Sequence, residues 1–387
     1  DIELGQDNIV THNGLFGIAC YSSTIKMSDN NNLVSENYRH GILLDHSIGT
    51  LSHVSIYHNG YNDGYQGASH GVCLTNGSSL TMDQCTVMYN GHNGISLSGG
   101  KSQICSAVIR NSTISNNGMG NYQGRPVYTE DGCGHGICVS KASTAEISNC
   151  NICNNTVCGI SESNKGNAVI HDNTISQNGR HGIGLSMAAV IEAYQNTIEY
   201  NHYNGILLSY GSYGNIYDNH SISYNGTVGN DIGGIGISVS SSSAANINRN
   251  FISYNIHTGV VVVGGSEWSE YVNALDSYGE LDESKQNKKL YNINSALYSM
   301  ADNIIEANSD HGVLGFYYVS LRMNGGNLIS QNGQSGIVIG DKTKANIYNK
   351  NLIQRNHGYG ILAQGNDCEA IVANDIIKEN NAAGIAA

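Results

Sequence analysis

The sequence predicts an all-β fold, a single-stranded parallel β-helix solenoid of about fourteen coils. An asparagine returns fourteen times in one frame, each time three residues after an Ile or Val. In eleven cases a Gly followed by Ile or Val lies four residues further on, and the undisturbed unit is 23 or 24 residues long. A period of this size is typical of solenoids. The repeating asparagines are Asn13, Asn37, Asn59, Asn90, Asn117, Asn155, Asn178, Asn201, Asn225, Asn255, Asn308, Asn332, Asn356 and Asn380.

Each repeat divides into short strands. Between Ala189 and Leu208 the apolar residues form brief alternating runs, each too short for a helix. Three strands separated by Gly, Asn or Ser corners fit this pattern, whereas a leucine-rich repeat would need a Leu consensus and a helix. Asparagines at the same corner of successive coils can hydrogen-bond one another and satisfy backbone groups. The fourteen asparagines are therefore predicted to form a structural ladder.

Composition limits the class of partner. The 48 Gly and single Pro suit a chain that turns often and returns to a hydrogen-bonded ladder. A formal net charge of −13, from 31 acidic and 18 basic residues, argues against a nucleic-acid partner. The sequence has no run of eighteen apolar residues, so we expect no transmembrane helix. No cofactor is expected, and a structural calcium ion is left open.

The ten cysteines do not follow the spacing of a zinc finger. Cys85 and Cys150 hold the position that usually carries Asn or Ser two residues before the buried Ile or Val, and we expect them to be packed free thiols. The compartment stays open, with an extracellular or cell-surface location favoured.

The repeat runs from end to end, so residues 1–387 are interpreted as one domain. The sequence begins and ends inside a unit, without a polar capping segment. Open ends of a solenoid expose strand edges. We therefore expect either further coils in a longer chain or protein partners at the ends.

The frame is interrupted by four insertions. The Asn-to-Gly spacing expands to twelve, nineteen and eleven residues in the third, fifth and ninth coils, always at the same corner. Loops on a rigid scaffold often carry function. A fourth insertion leaves from another part of the coil, carries Trp268 and many charges, and is either a solvated flap or a lid beside a groove. The insertions fall at about 60–69, 118–134, 226–234 and 264–300.

Histidines collect between the ladder Asn and the following Gly. A structural interpretation is that each ring packs on its neighbour at the corner. The histidines before Gly in the fifth and seventh coils are not in adjacent turns, and tetrahedral metal sites need converging ligands, so no metal site is expected. The five histidines that directly precede the frame Gly followed by Ile or Val are His40, His70, His135, His181 and His311.

Two motifs favour one class of chemistry. Tyr128, Asp131 and His135 lie on the long loop of the fifth coil, and Arg180 and His181 precede a Gly two coils later. This arrangement resembles mannuronan epimerases of alginate, although the His here lies two residues later than in their Tyr-x-x-Asp-x-His motif. The whole repeat is similar to the right-handed parallel β-helix of pectate-lyase-like proteins.

The resemblance implies a polyuronate epimerase or lyase. Tyr128 and His135 would be the proton-transfer pair with Asp131 as their support, and Arg180 with His181 would contact the substrate carboxylate. Abstraction of the proton at carbon five requires that the adjacent carboxylate be neutralised, and the same groups can perform β-elimination. The substrate is a polysaccharide or other glycan. Further substrate contacts are expected from Arg125, His202, Tyr203, Asp231, Asp63 and Tyr65.

Two alternatives stay open, and with them the question whether the chain is an enzyme. Glycoside hydrolysis needs paired carboxylates, which Asp63, Glu130, Asp131 and Asp231 could supply from the three insertions. A non-catalytic scaffold or carbohydrate-binding rod is the other alternative, because the regular coils show no obligatory catalytic pair.

Overall fold

The computed structural model describes nine stretches of the chain, and the architecture in all of them is built from short β-strands. The strands form three parallel sheets of fourteen strands each, here named A, B and C, so that the predicted β-helix is confirmed. Each coil supplies one strand to A, one to B and one to C. The described residues are 1–28, 31–60, 69–100, 103–118, 121–122, 125–126, 134–228, 233–264 and 295–387.

The chain divides into two compact units, Asp1–Gly184 and Leu185–Ala387. The first unit holds coils one to seven. Sheet A contains β1 (Ile2–Leu4), β4 (Thr24–Met27), β7 (Ile48–Ser52), β10 (Ser79–Asp83), β13 (Ser106–Arg110), β18 (Thr144–Ser148) and β21 (Asn167–His171). Sheet B contains β2 (Ile9–Thr11), β5 (Asn32–Ser35), β8 (Val54–Tyr57), β11 (Thr86–Met88), β14 (Thr113–Ser115), β19 (Asn151–Cys153) and β22 (Thr174–Ser176). Sheet C contains β3 (Ile18–Tyr21), β6 (Ile42–Asp45), β9 (Val72–Thr75), β12 (Ile95–Ser98), β17 (Ile137–Ser140), β20 (Ile160–Glu162) and β23 (Ile183–Leu185), and a hairpin is formed by β15 (Asn121–Tyr122) and β16 (Arg125–Pro126).

The second unit holds coils eight to fourteen. Sheet A contains β24 (Val190–Tyr194), β27 (Tyr213–Tyr217), β30 (Ala244–Asn248), β33 (Ala296–Ala301), β36 (Ser320–Met323), β39 (Lys344–Tyr348) and β42 (Glu369–Ala373). Sheet B contains β25 (Thr197–Glu199), β28 (Ser221–Ser223), β31 (Phe251–Ser253), β34 (Ile304–Glu306), β37 (Leu328–Ser330), β40 (Leu352–Gln354) and β43 (Ile376–Lys378). Sheet C contains β26 (Ile206–Leu208), β29 (Ile237–Val239), β32 (Val260–Val263), β35 (Val313–Phe316), β38 (Ile337–Ile339), β41 (Ile361–Ala363) and β44 (Ile385–Ala386).

The asparagine ladder is confirmed, and Asn155 shows its geometry. The Oδ1 atom of Asn155 accepts hydrogen bonds from the backbone N–H (3.1 Å) and side-chain Nδ2 (3.0 Å) of Asn117, one coil earlier. The Nδ2 atom of Asn155 donates to Oδ1 of Asn178, one coil later (3.0 Å), and to the carbonyl of Ile114 (3.2 Å). Asn155 is 1% exposed, so the ladder satisfies polar groups that water does not reach.

A second ladder lies at the corner between sheets A and B. In the second unit the ladder side chains are linked by amide hydrogen bonds of 2.7–3.1 Å, and its last amide donates to Asp375 at 2.9 Å. The asparagines of this ladder are Asn196, Asn219, Asn250, Asn303, Asn327 and Asn351. Cys85 takes part in the equivalent row of the first unit, where its backbone N–H donates to Oγ of Ser112.

Cys85 and Cys150 are buried, as predicted, and the nine cysteines that the structure describes are all free thiols. Removal from water raises the pKa of each of these two thiols to about 11, because burial penalises the thiolate. Both thiols are therefore protonated and unreactive near neutral pH.

The glycine that precedes sheet C has no room for a side chain. A Cβ atom on Gly94 would lie 2.7 Å from the carbonyl oxygen of Gly136 and 2.8 Å from Nδ2 of Asn117. We expect Gly94→Ala to lower the free energy of unfolding by about 2 kcal/mol, because both neighbours are held in ladders. Urea denaturation measures this, with Gly14→Ala as the control because nothing lies within 4 Å of its Cβ position. Equal losses in the two variants would contradict the steric argument.

The described parts of the chain contain no helix with the length and apolarity that a membrane crossing requires. Three of the predicted insertions fall between a sheet B strand and a sheet C strand, in coils three, five and nine. The insertion with Trp268 falls between β32 of sheet C and β33 of sheet A. Most residues of these insertions lie outside the described part of the chain.

Candidate functional site

The candidate site is the BC corner of the first unit, defined as the segment in each coil between the ladder asparagine and the sheet C strand. The residue before each corner glycine holds the same place in every coil. In four coils of the first unit, those of His40, His70, Asn93 and His135, the side chain in this place accepts a hydrogen bond from the backbone of the next coil, which makes a third ladder. In the first unit the residues in this place are Phe16, His40, His70, Asn93, His135, Cys158 and His181.

The bonds of this third ladder run through the histidine Nδ1 atoms. The backbone N–H of His70 donates to Nδ1 of His40 (2.9 Å), and that of Asn93 donates to Nδ1 of His70 (3.3 Å). Oδ1 of Asn93 accepts from the backbone N–H of His135 (2.9 Å), and Nδ1 of His135 accepts from the N–H of Cys158 (3.2 Å). Since an accepting Nδ1 carries no proton, each neutral ring carries its proton on Nε2.

Burial keeps these imidazoles uncharged. Loss of water lowers the pKa of His40 to about 4, with smaller contributions from Arg39 and His92. The pKa of His181 falls to about 3, first because the ring is buried and then because Arg180 and His135 lie nearby. His40 and His181 are consequently uncharged and poor proton acceptors near neutral pH.

Rings stack along the first coils of the corner. The ring centroids of Phe16 and His40 are 5.4 Å apart with planes 4° from parallel, and those of His40 and His70 are 5.2 Å apart at 7°. His92 meets His70 edge-on at 6.0 Å, and the guanidinium carbon of Arg39 lies 6.0 Å from the Phe16 ring centroid. This column agrees with the structural interpretation in which each corner ring packs on its neighbour.

One group of side chains has the composition of a metal site. His40, His70 and Cys73 each place a ligand atom within 4.8 Å of the others. Both histidines use Nδ1 to accept a backbone N–H, so coordination through Nε2 would leave the ring without any proton. Metal-binding histidines usually donate their second ring nitrogen. The ladder hydrogen bonds therefore disfavour a metal ion at this group.

Three of the predicted catalytic residues come together in the first unit. His135 and His181 are each 3% exposed and interact electrostatically, as do His181 and Arg180. Cys158 lies in the intervening coil, and its backbone N–H donates to Nδ1 of His135. Its Sγ atom also lies near the His181 ring, because both are close to the Cβ position of Gly184, at 3.3 Å for Sγ and 3.7 Å for Cδ2 of His181. With 3% exposure, each imidazole offers solvent at most a small part of its edge. Arg180 is half-buried.

The other predicted site residues of the first three insertions belong to segments between the sheet B and sheet C strands. Arg125 belongs to the short strand β16, opposite Tyr122. The remaining predicted residues on the insertions lie outside the described part of the chain. Both the proton-transfer partner of His135 and the paired carboxylates of the hydrolase alternative therefore stay predictions. These residues are Tyr128, Asp131, Glu130, Asp63, Tyr65 and Asp231.

Two predicted substrate contacts lie in the second unit. His202 is exposed and Tyr203 is half-buried. The hydroxyl of Thr227 donates to the carbonyl of His202 (3.1 Å), and the N–H of Gly234 donates to the carbonyl of Tyr203 (3.1 Å). These bonds fix the backbone at the place where the insertion of coil nine begins and ends.

Sequence reasoning did not identify Glu162, the most unusual titratable residue of the first unit. Glu162 is 0% exposed, and neither carboxyl oxygen has a hydrogen-bond partner among the described residues. It lies opposite Val139 in sheet C, so its side chain points into the interior of the coil. Burial raises its pKa well above the ordinary glutamate value, because the ionised form loses its water. A clue was present in the frame, where the register partners of this position in the other coils are all uncharged, and most of them are Leu or Val.

The family is shown by comparison with known proteins. The sequence profile described as "right handed beta helix region" matches residues 40–222 and 135–275, which together span more than half of the chain. The chain therefore belongs to the right-handed β-helix family. No curated protein sequence matches it significantly.

Solved structures of similar fold include the periplasmic alginate epimerase AlgG. A mutant of AlgG aligns with 94% of this chain and 76% of its own, at 14% identity and a TM-score of 0.51. Another AlgG structure aligns over 95% and 76%, at 12% identity and a TM-score of 0.51. The A-module of the Azotobacter vinelandii mannuronan C-5 epimerase AlgE6 aligns over 94% and 90%, at 11% identity and a TM-score of 0.40. At these identities the AlgG likeness establishes the fold alone.

Proposed function

We propose that this chain acts on a polysaccharide, and specifically that it is a polyuronate epimerase or lyase whose site is the BC corner of the first unit. The observation that carries the proposal is the proximity of Arg180 and His181 to His135, at the corner from which the insertion of coil five leaves. The AlgG structures, which are those of an alginate epimerase, share the fold and are compatible with this chemistry.

The protonation of the corner assigns the roles more narrowly than the sequence did. Nδ1 of His135 accepts a backbone hydrogen bond, so this ring donates through Nε2 and is unsuited to act as the base. His135 would stabilise the negative charge that develops on the sugar carboxylate when carbon five loses its proton, together with the Arg180 guanidinium. Tyr128 would then take up the carbon-five proton, with Asp131 as its support. Loss of the carbon-four substituent completes the lyase reaction, and a proton delivered from water to the opposite face completes the epimerase reaction.

The location that suits this substrate is outside the cytoplasm. AlgG, whose structure has a similar fold, is a periplasmic protein by name. We infer a periplasmic, extracellular or cell-surface site of action.

The chemistry can be tested with a panel of polyuronates. We expect lyase activity to produce an unsaturated sugar that absorbs in the ultraviolet, and epimerase activity to exchange the carbon-five proton in deuterated water. Arg180→Gln should reduce either rate by roughly 10²- to 10³-fold, because the carboxylate is no longer neutralised. Arg110→Gln is the control, since Arg110 is an exposed residue of sheet A that pairs with Glu146. A folded protein without either signal would exclude both reactions.

The second candidate function is a non-catalytic scaffold or glycan-binding rod. It is favoured by the burial of His135 and His181 and by the backbone bond that His135 accepts, which are features of a structural corner. Binding of polyuronate without proton exchange or elimination would select this function.

A further inference from the structure

A pocket with both charged and apolar side chains in its lining occurs in the second unit, outside the candidate site described above. It has a volume of about 430 Å³, within the range of roughly 300–1,000 Å³ that small-molecule sites occupy. It is located at the corner between sheets A and B, in coils eight to eleven. The residues that define its character are Asp218, His220, Arg249, Phe251, Asp302 and Ile304.

A one-residue insertion shapes the pocket. His220 stands between the ladder residue Asn219 and the first residue of β28, whereas in the neighbouring coils the strand follows the ladder asparagine directly. The extra residue is accommodated because the carbonyl of Asn196 accepts the N–H groups of both His220 (3.0 Å) and Ser221 (3.4 Å). His220 is thereby displaced outward and is exposed beside the pocket.

The charged wall of the pocket is held in position. Nε and Nη2 of Arg249 donate to the two carboxylate oxygens of Asp218, at 2.7 and 2.9 Å. The guanidinium carbon also lies 5.9 Å from the ring centroid of Tyr217. The backbone of Asp218, Arg249 and Asp302 is left-handed, with φ of 53°, 55° and 56°, so the three side chains leave equivalent corners of successive coils.

We propose that this pocket binds a neutral saccharide unit. Phe251 and Ile304 are in register on neighbouring strands of sheet B and provide an apolar wall for the C–H face of a sugar ring. The carboxylates of Asp218 and Asp302 accept hydrogen bonds from hydroxyl groups, and Arg249 donates to hydroxyl or ring oxygens. A lining that is apolar on one side and hydrogen-bonding on the other matches the two kinds of surface of a sugar.

The charge of the lining selects against uronic acids. Two carboxylates and one guanidinium give these residues a negative balance, which repels the carboxylate of a uronate. The ligand class therefore differs from that of the BC corner, and the pocket proposal does not depend on the proposed polyuronate chemistry.

Binding is tested by titrating the whole chain with neutral oligosaccharides of hexose, pentose and N-acetylhexosamine type, and with oligouronates in parallel, by NMR or calorimetry. We expect at least one neutral series to bind in preference to oligouronates. Arg249→Ala and Phe251→Ser should each weaken that binding by about tenfold or more.

Arg355→Ala is the matched control. Arg355 has a left-handed backbone (φ 56°) like Arg249, and its Nε donates to Glu379 in the next coil at 2.8 Å. The control should bind within about twofold of the unaltered chain, since it loses a comparable surface ion pair away from the pocket. Thermal unfolding of each variant verifies that it is folded. The proposal is overturned if no neutral oligosaccharide binds, or if folded Arg249→Ala and Phe251→Ser bind as tightly as Arg355→Ala.

Discussion

Replacement of Asn155 by Ala should lower the free energy of unfolding by about 4 kcal/mol, since two buried donors lose their acceptor. The backbone N–H and the Nδ2 group of Asn117 both donate to Oδ1 of Asn155. Their donor atoms belong to a residue that is 0% exposed, so water does not replace the missing acceptor. The carbonyl of Ile114 also loses a donor.

Urea denaturation followed by circular dichroism measures the loss, and Asn151→Ala is the control. Asn151 belongs to the same coil and is exposed on β19, so its replacement should change stability by no more than about 0.5 kcal/mol. A loss of the same size at both positions would mean that the ladder contributes no more than an ordinary surface residue. In that case the fourteen asparagines would need another explanation.

This ladder was predictable because one residue type repeats in one frame. The ladder between sheets A and B was less visible, because in the first unit its positions change from Cys85 to Ser112, Cys150 and Asn173. Each of these side chains can accept or donate a hydrogen bond at the same corner. Because different residue types occupy the same corner position, the repeat of this position is weak in a single sequence.

The candidate site was predicted less completely. The frame located His135 and His181 at one corner, but the acceptor role of Nδ1 depends on which backbone N–H the next coil supplies. That pairing is fixed by the register of adjacent coils. Within the predicted proton-transfer pair of Tyr128 and His135, this register favours a hydrogen-bond donor role for His135. The position of Tyr128 and of the other residues on the insertions could not be predicted from the repeat, since inserted residues have no counterpart in the neighbouring coils.

Glu162 was in principle readable from the same frame. Its register neighbours in sheet C point inward and are apolar, and a carboxyl among them interrupts the core. The inward series of the first unit runs through Cys20, Leu44, Leu74, Leu97, Val139 and Glu162.

The contribution of Glu162 to stability should fall as pH rises. It opposes the buried histidines His40 and His181, whose pKa values of about 4 and about 3 make stability rise with pH up to the ordinary histidine range. The folded-state pKa of Glu162 is raised, so above the ordinary glutamate range the unfolded chain releases a proton that the folded chain keeps. The contribution of Glu162 to the free energy of unfolding is therefore fully present below the glutamate pKa of the unfolded chain. At higher pH it is lost at about 1.4 kcal/mol per pH unit, until the pH reaches the raised pKa of Glu162 in the folded chain. Glu162→Leu should remove this slope and be more stable than the unaltered chain at neutral pH, because Leu suits an apolar core position.

The measurement is the free energy of unfolding in urea at pH values from 5 to 8, for the unaltered chain and for two variants. Glu146→Gln is the control, because Glu146 has a 40% exposed side chain that pairs with Arg110 on the surface. It should keep the slope of the unaltered chain, since an exposed pair contributes little and is screened. If Glu162→Leu and the unaltered chain gave parallel lines against pH, the carboxyl would have to be equally ionised in both states. That outcome is energetically unfavourable, because the two buried carboxyl oxygens have no hydrogen-bond partner among the residues that the structure describes.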